Sequence, residues 1–234
     1  MEPDNYSTKA REILASISEV AECNLSRDSL VNSISEYDVL ITRLKHSVDA
    51  KILENGRQLK AIVTATTGLD HIDLKYAQDK GITILSLKDE NEFLQTIPAT
   101  AEHTWALILS LIRKIPQAYN CVCNGEWNRD LFRGNELKNK NLGIVGYGRV
   151  GKQIKNYALA FDMNVHVYDP KVYQLPDEVI SYQKLGDMLS SVDIVTLHLP
   201  LNKDTYGIIG HEEIDICSTG TYLINTSRGD LVET

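Results

Sequence analysis

This chain of 234 residues lacks an excess of positive charge, long apolar runs, metal-spaced cysteines and repeated segments. Its 32 acidic residues outnumber 24 lysines and arginines, giving a net charge of −8. It therefore carries no electrostatic footprint for nucleic acid or an anionic membrane. The longest apolar run, Trp105 to Ile112, falls far short of the roughly 20 residues that cross a bilayer, and Arg113 and Lys114 follow it. Neither nucleic acid nor membrane is an expected partner. Cys23, Cys121, Cys123 and Cys217 show no metal-ligand spacing, so no metal is expected. Cys121 and Cys123, two residues apart on a helical pattern, face different directions and read as structural thiols. No signal peptide precedes the charged N-terminus, and a reducing cytoplasm is the expected compartment.

Apolar residues make up 43% of the chain, enough for packed cores, and the most informative stretch runs from Asn141 to Pro170. An apolar run, Leu142 to Val145, turns at Gly146-Tyr147-Gly148-Arg149-Val150-Gly151 into a helical pattern, and a second run, Val165 to Tyr168, ends at Asp169. Strand, glycine turn, helix, strand and acid in that order are the fingerprint of a dinucleotide site. Gly146 permits the tight turn, Gly148 lets the backbone approach a pyrophosphate, and Gly151 lets helix and strand pack closely. The phosphates then rest on the helix N-terminus, where unpaired N–H groups and the macrodipole attract negative charge. Asp169, about 20 residues beyond the glycines, suits the ribose hydroxyls and repels the extra phosphate of NADP. NAD is the expected cofactor.

Around that unit the chain alternates. Ala10, Ile13, Leu14 and Ile17 recur at helical spacing behind Ser7, a candidate cap. A short extended run near Val20 to Cys23 follows, then a helix from Arg27 to Ser35 and a strand from Val39 to Thr42. Next come a helix Asp49 to Asn55 stopped by Gly56, a strand Ala61 to Ala65, a helix Leu74 to Lys80 and a strand Ile82 to Leu85. Asn91 to Thr100 reads as a polar connection, and Ala99 to Val122 as one long helical pattern interrupted at Pro116. Trp127, Leu131 and Phe132 lie in a loop beyond it and need burial, either on their own domain or at a subunit interface. The last third gives a strand near Val179 to Tyr182, a helix Lys184 to Ser190, a strand Ile194 to Leu197, a helix near His211 to Ile216 and a strand Tyr222 to Asn225. Such alternation predicts an α/β chain of parallel sheets covered by helices. One further loop stands out, residues 66–73, at the C-terminal end of a predicted strand where ligands collect. Its N–H groups could hold a carboxylate, or it is an ordinary loop with Asp70 or Asp73 capping the next helix.

Several separated motifs together resemble the NAD-dependent D-isomer-specific 2-hydroxyacid dehydrogenases. They are TTGLDHID at Thr66, ATAEHTWALIL at Ala99, GEW at Gly125, LGIVGYGRVGKQI at Leu142, LHLPLNKDTYGIIG at Leu197 and LINTSRGDLVE at Leu223. The resemblance implies two doubly wound parallel-sheet domains, a flavodoxin-like substrate domain over 1–98 and a Rossmann NAD-binding domain over 99–234. It makes Arg228 the catalytic arginine that grips a 2-oxo acid by its carboxylate, a task suited to a planar guanidinium. Gly68 and Leu69, with Thr67 beside them, become the backbone carboxylate clamp, and Arg43 an additional substrate charge. Arg149 and Val150 meet the pyrophosphate, and Pro170 follows the ribose-binding Asp169. Leu199 and Pro200 line the cofactor groove, while Thr205 and the Thr226-Ser227-Arg228 segment contact the cofactor. A homodimer through the NAD-binding domains is also implied. Phosphoglycerate dehydrogenases resemble one another in placing an arginine just before the glycine clamp, where this chain has Thr64. A small unphosphorylated 2-oxo or 2-hydroxy acid is therefore expected.

Two departures stand out. The family's proton-exchanging His and its Glu follow the arginine motif, and neither is expected among these 234 residues; none of the six histidines occupies that position. At the front, the text EPDNYSTKA resembles what normally follows the substrate domain's first strand. Both domains are thus expected to be incomplete and the chain truncated, without turnover. A non-catalytic NAD-responsive binding protein of the corepressor type, which uses the same fold, is the competing reading. Retention of Arg228 and the lack of a basic or peptide-docking feature weigh for the enzyme.

Overall fold

The computed structural model describes residues 1, 6–172 and 174–234, so the front of the N-terminal stretch compared above, residues 2–5, lies outside it. The described chain forms two compact units, Met1–Leu94 and Gln95–Thr234.

In the first unit, α1 (Thr8–Ile17) starts at Ser7, whose hydroxyl accepts from Ala10 N–H at 3.2 Å. The elements that follow are α2 (Arg27–Ser33), β1 (Val39–Thr42), α3 (Ala50–Asn55), β2 (Ala61–Thr64), α4 (Leu74–Asp79), β3 (Thr83–Ser86) and α5 (Asn91–Gln95). The strands pair in parallel in the order β1-β2-β3, with Thr42 in register with Thr64 and Thr64 with Ser86. Apolar side chains of α2, α3 and α4 meet Leu40 and Ile62 in one core that includes Ile34, Ile52 and Ile72. Cross-strand pairing and helix coverage follow from β-branched and leucine-rich runs bounded by caps: Asp49 accepts from Ile52 N–H and Asp73 from Tyr76 N–H.

Two expectations change here. Among the described residues the run Val20 to Cys23 joins no strand; its backbone bonds to the first residue, with Ala21 O accepting from the Met1 amino group and Cys23 N–H donating to Met1 O. The polar connection from Asn91 contains the short helix α5, because Leu94 finds burial there. The helix α1 forms as its periodicity predicts, yet no residue on it is fully buried, and Ile17 is 76% exposed.

The second unit opens with α6 (Ala99–Ile112) and α7 (Ile115–Cys123). The interruption expected at Pro116 falls at Lys114, in the left-handed region at φ 53°, two residues earlier. A proline ring would collide with the carbonyl four positions earlier, at Ile112, so the helix ends first and Pro116 falls in the first turn of the next one. Then come β4 (Asn141–Val145), α8 (Arg149–Ala160), β5 (Asn164–Tyr168), β6 (Val179–Tyr182), α9 (Leu185–Leu189), β7 (Ile194–Leu197), α10 (His211–Ile216) and β8 (Tyr222–Asn225). All five strands are parallel in the order β6-β5-β4-β7-β8. Chain direction across the sheet therefore reverses between β4 and β7, the doubly wound arrangement that leaves a crevice at their C-terminal ends. One core under α6 and α8 and a second under α9 bury the sheet on both faces, which is why β4 and β7 read as continuous apolar runs. Trp127 and Leu131 are 83% and 62% exposed, so packing on their own domain does not account for them.

Replacing fully buried Ile62 of the central strand β2 by Ala is expected to cost roughly 2–5 kcal/mol through lost contacts and a cavity. Ile13→Ala on the open face of α1 should stay within about 0.5 kcal/mol. Urea midpoints for the two variants check this, and an Ile13 loss as large as that of Ile62 would mean α1 packs against something.

Candidate functional site

The glycine turn joins β4 to α8 at the strand-order reversal. Gly146 has φ +95°, a conformation L side chains rarely adopt, and a Cβ there would lie 2.6 Å from His198 O. The backbone just past β7 thus presses on the turn, and His198 N–H donates back to Val145 O at 2.8 Å. At Gly151 a Cβ would lie 2.3 Å from Gly146 O and 3.3 Å from Ile144 Cγ2, so helix and strand approach too closely for any side chain. Gly148 differs from both. A Cβ at Gly148 would meet nothing within 4 Å, and its φ of −77° demands no glycine.

Gly148 is the N-cap of α8 and offers no side chain to the first turn. Those first N–H groups need an acceptor, and a phosphate supplies one. Open space beside Gly148 together with an uncapped twelve-residue helix fits a pyrophosphate approaching the backbone. Val150 packs at the edge of the core, and the Arg149 guanidinium donates to Ile97 O at 3.0 Å.

Asp169 stands directly after β5, partly exposed. Its Oδ2 accepts from Tyr147 N–H at 2.8 Å and its Oδ1 from Lys171 N–H at 2.9 Å. Gly146 N–H donates to Tyr168 O at 2.9 Å, so strand end and glycine turn are tied twice. Each carboxylate oxygen keeps a second lone pair for a ribose hydroxyl. Pro170 is exposed beside it.

On the other side of the reversal lie the residues after β7 and β8. Leu199 packs against the core under α9 and also borders Gly146. Thr205 Oγ1 donates to Pro200 O at 2.6 Å and accepts from Asn202 N–H at 2.9 Å, shaping the loop after β7. After β8, Ser227 Oγ donates to Leu197 O at 2.8 Å, and Thr226 Oγ1 lies 2.8 Å from Thr104 Oγ1. Asn225 braces the segment from both ends: its Oδ1 accepts from Ser227 N–H at 3.0 Å and its Nδ2 donates to Arg228 O at 2.6 Å. Arg228 sits on extended backbone, half-buried, and one guanidinium nitrogen donates to Ser227 O at 3.0 Å.

The second unit thus gathers Gly146, Gly148, Arg149, Val150, Gly151, Asp169, Pro170, Leu199, Pro200, Thr205, Thr226, Ser227 and Arg228 at the C-terminal edge of one sheet. The first unit carries Arg43, exposed after β1, and Thr67, Gly68 and Leu69 after β2, at the corresponding edge of its own sheet. There Thr66 Oγ1 donates to Gly68 O at 2.8 Å and Ile72 N–H donates to Leu69 O, holding the loop in one shape. Thr64 is buried with its hydroxyl 3.0 Å from that of Thr66.

His198 points into the second unit, its Nε2 3.0 Å from Thr196 Oγ1, and burial pushes its pKa down to about 4. It is neutral at pH 7. Burial likewise lowers His166, whose Nδ1 lies 3.0 Å from the Tyr182 hydroxyl. Among the described residues no cluster of three metal-ligating side chains occurs.

Three participants were invisible in the sequence reading: the Tyr147 N–H, the Asn225 brace and Thr104. Asn225 carried a signal, since Asn at a strand end favours side-chain bonds to backbone two residues on. Thr104 carried none, being one polar residue on an apolar helical face.

Residues 105–234 match the family described as D-isomer specific 2-hydroxyacid dehydrogenase, NAD binding domain. The chain is 36% identical over 212 residues to D-3-phosphoglycerate dehydrogenase of Archaeoglobus fulgidus, covering 89% of this chain and 39% of that protein. It is 35% identical over 215 residues to hydroxypyruvate reductase of Thermotoga maritima, covering 92% of this chain and 68% of that one. Its fold is similar to the solved structure of D-lactate dehydrogenase from Aquifex aeolicus complexed with NAD and lactic acid, with TM-score 0.76, 31% identity, and 87% and 60% of the two chains covered. The chain thus spans well under half the length of the first of these relatives.

The glycines separate folding from binding. Gly148→Ala is expected to melt like the parent chain while NAD affinity drops at least about tenfold, because the methyl fills only the space a pyrophosphate would use. Gly151→Ala should lose stability and binding together, its Cβ colliding with Gly146 O. Thermal melts with and without NAD read both, and undiminished NAD binding by Gly148→Ala would sink the placement of the phosphates.

Proposed function

The chain belongs to the D-isomer specific 2-hydroxyacid dehydrogenase family, and from that premise we propose that it serves an NAD-dependent oxidoreductase interconverting a small 2-hydroxy acid and its 2-oxo acid. The observation that carries this is Arg228 on a cross-braced segment beside a complete glycine-turn and Asp169 site. The second unit is the NAD-binding domain, and the first serves as the substrate domain. Gly148 and the first turn of α8 hold the pyrophosphate, Asp169 the adenosine ribose, and Leu199, Pro200, Thr205, Thr226 and Ser227 the nicotinamide half. NAD, when bound, supplies a hydride acceptor or donor. Arg228 grips the substrate carboxylate and polarises the adjacent carbonyl, and the loop Thr67, Gly68 and Leu69 offers backbone N–H groups, with Arg43 at the same sheet edge.

An unphosphorylated substrate fits better than a phosphorylated one, since buried Thr64 presents no charge before the glycine clamp. Relatives of both kinds occur among the similar proteins. The four free thiols suit a reducing cytoplasm.

A second copy of the chain is the proposed macromolecular partner, through the NAD-binding domain. Tyr119, Val122, Trp127 and Leu131, on α7 and the loop after it, are large apolar side chains left exposed, which a second copy would cover. Trp127→Glu should convert a dimer to a monomer in sedimentation velocity; a parent chain already monomeric at high concentration removes the idea.

Turnover by these 234 residues alone is not expected. Hydride transfer to a 2-oxo acid creates an alkoxide that must take a proton, and a positioned acid contributes about 10²–10⁴-fold in rate. Arg228 holds its protons too tightly at neutral pH. His198, with a pKa near 4 and its Nε2 at Thr196, is a neutral imidazole and a poor acid. Purified chain should therefore be stabilised by NAD without oxidising NADH across a panel of 2-oxo acids. Robust turnover abolished by Arg228→Ala would show that another residue here supplies the proton.

A further inference from the structure

Thr104 is fully buried on α6, where its hydroxyl donates to Thr100 O at 2.8 Å. Its other partner is Thr226 Oγ1, also at 2.8 Å. A threonine hydroxyl carries one proton and two lone pairs. With the Thr104 proton directed at a carbonyl, which can only accept, the hydrogen bond between the two threonines must be donated by Thr226. The proton of Thr226 is thus held inside the protein. Thr226 is half-buried at the end of β8, and toward any further partner its oxygen accepts but does not donate. Ser227, its neighbour, is in the same condition, since its Oγ donates inward to Leu197 O at 2.8 Å.

We infer that Thr104 is a specificity-determining positioning residue: by holding the proton of Thr226 it makes the nicotinamide end of the site a hydrogen-bond acceptor, selecting a neutral carboxamide over the corresponding carboxylate. The inference rests on the NAD reading above. The carboxamide of NAD carries two N–H donors that such an oxygen can receive. The acid form of the dinucleotide offers a carboxylate there, and lone pairs would face lone pairs at the cost of an unmade bond to a charged group. Arg228, next in the chain, attracts any anion and offsets part of that cost. The informative quantity is therefore the change in preference when the Thr226 proton is released, not the preference itself.

The full chain is titrated calorimetrically with NAD, with nicotinic acid adenine dinucleotide and with ADP-ribose, which shares the adenosine and pyrophosphate parts only. The parent should favour NAD over the acid form by about tenfold, the effect of one hydrogen bond gained against one lost. Thr104→Val removes the inward acceptor at nearly constant volume, so Thr226 can donate outward; the preference should shrink at least about fivefold with ADP-ribose binding unchanged. Thr104→Ser restores the acceptor and should behave as the parent. An unchanged preference in Thr104→Val, with ADP-ribose still bound, overturns the role of Thr104 and leaves the cofactor reading intact. Failure of the parent to bind either NAD or ADP-ribose overturns the cofactor reading and this inference with it. If Thr104→Val does not fold, Thr226→Val decides: NAD affinity alone should fall, about fivefold, while that of the acid form holds, and equal loss for both overturns the proposal.

Discussion

The Asp169 carboxylate is the contact on which the rest of the site depends. One oxygen receives Tyr147 N–H from the glycine turn and the other receives Lys171 N–H from the segment beyond β5. A side chain expected to meet a ribose is therefore also the clamp that shapes the turn meeting the phosphates. In the proposed reading, ribose recognition and phosphate recognition would share one group, and the Gly146 N–H to Tyr168 O bond fixes the same two segments a second time. In the same reading, the negative charge at this strand end would discriminate against a ribose that carries a phosphate.

Backbone crowding does the remaining work. His198 O and the Leu199 side chain approach Gly146 from β7, and Gly151 closes on Gly146 O from α8, so the turn is wedged between a strand end and a helix start. Of the three glycines in this turn, Gly148 alone faces open space. Interior strands β4 and β7 supply the rigid platform for that geometry, being buried on both faces by two separate cores. Beyond β8 the same strategy recurs with side chains: Thr226 and Ser227 bond inward and Asn225 ties Ser227 N–H to Arg228 O, leaving Arg228 on a backbone with little freedom.

Strands and glycines were legible in the sequence because each has a local cause. Leu142 to Val145 and Ile194 to Leu197 are apolar runs bounded by turn residues, and they form β4 and β7 where the pattern predicts. Helix breaks were legible only in part: Pro116 marks a discontinuity, but steric conflict with the preceding turn moves it to Lys114. Val20 to Cys23 has strand composition yet pairs with no strand among the described residues, since pairing is a tertiary property that composition does not carry. Trp127 shows the opposite limit, a large apolar side chain whose sequence predicts burial and whose surroundings leave it exposed. Thr104 and Tyr147 N–H were beyond reach, because the partners they meet lie 122 and 22 residues away.

Calorimetric titration of the purified chain with NAD and with NADP tests the central claim most directly. A phosphate on the adenosine ribose would face the Asp169 carboxylate at close range, with Lys171 as the neighbouring counter-charge in sequence. The account predicts that NAD binds at least about tenfold more tightly than NADP. Equal affinity for the two, or tighter binding of NADP, would contradict it.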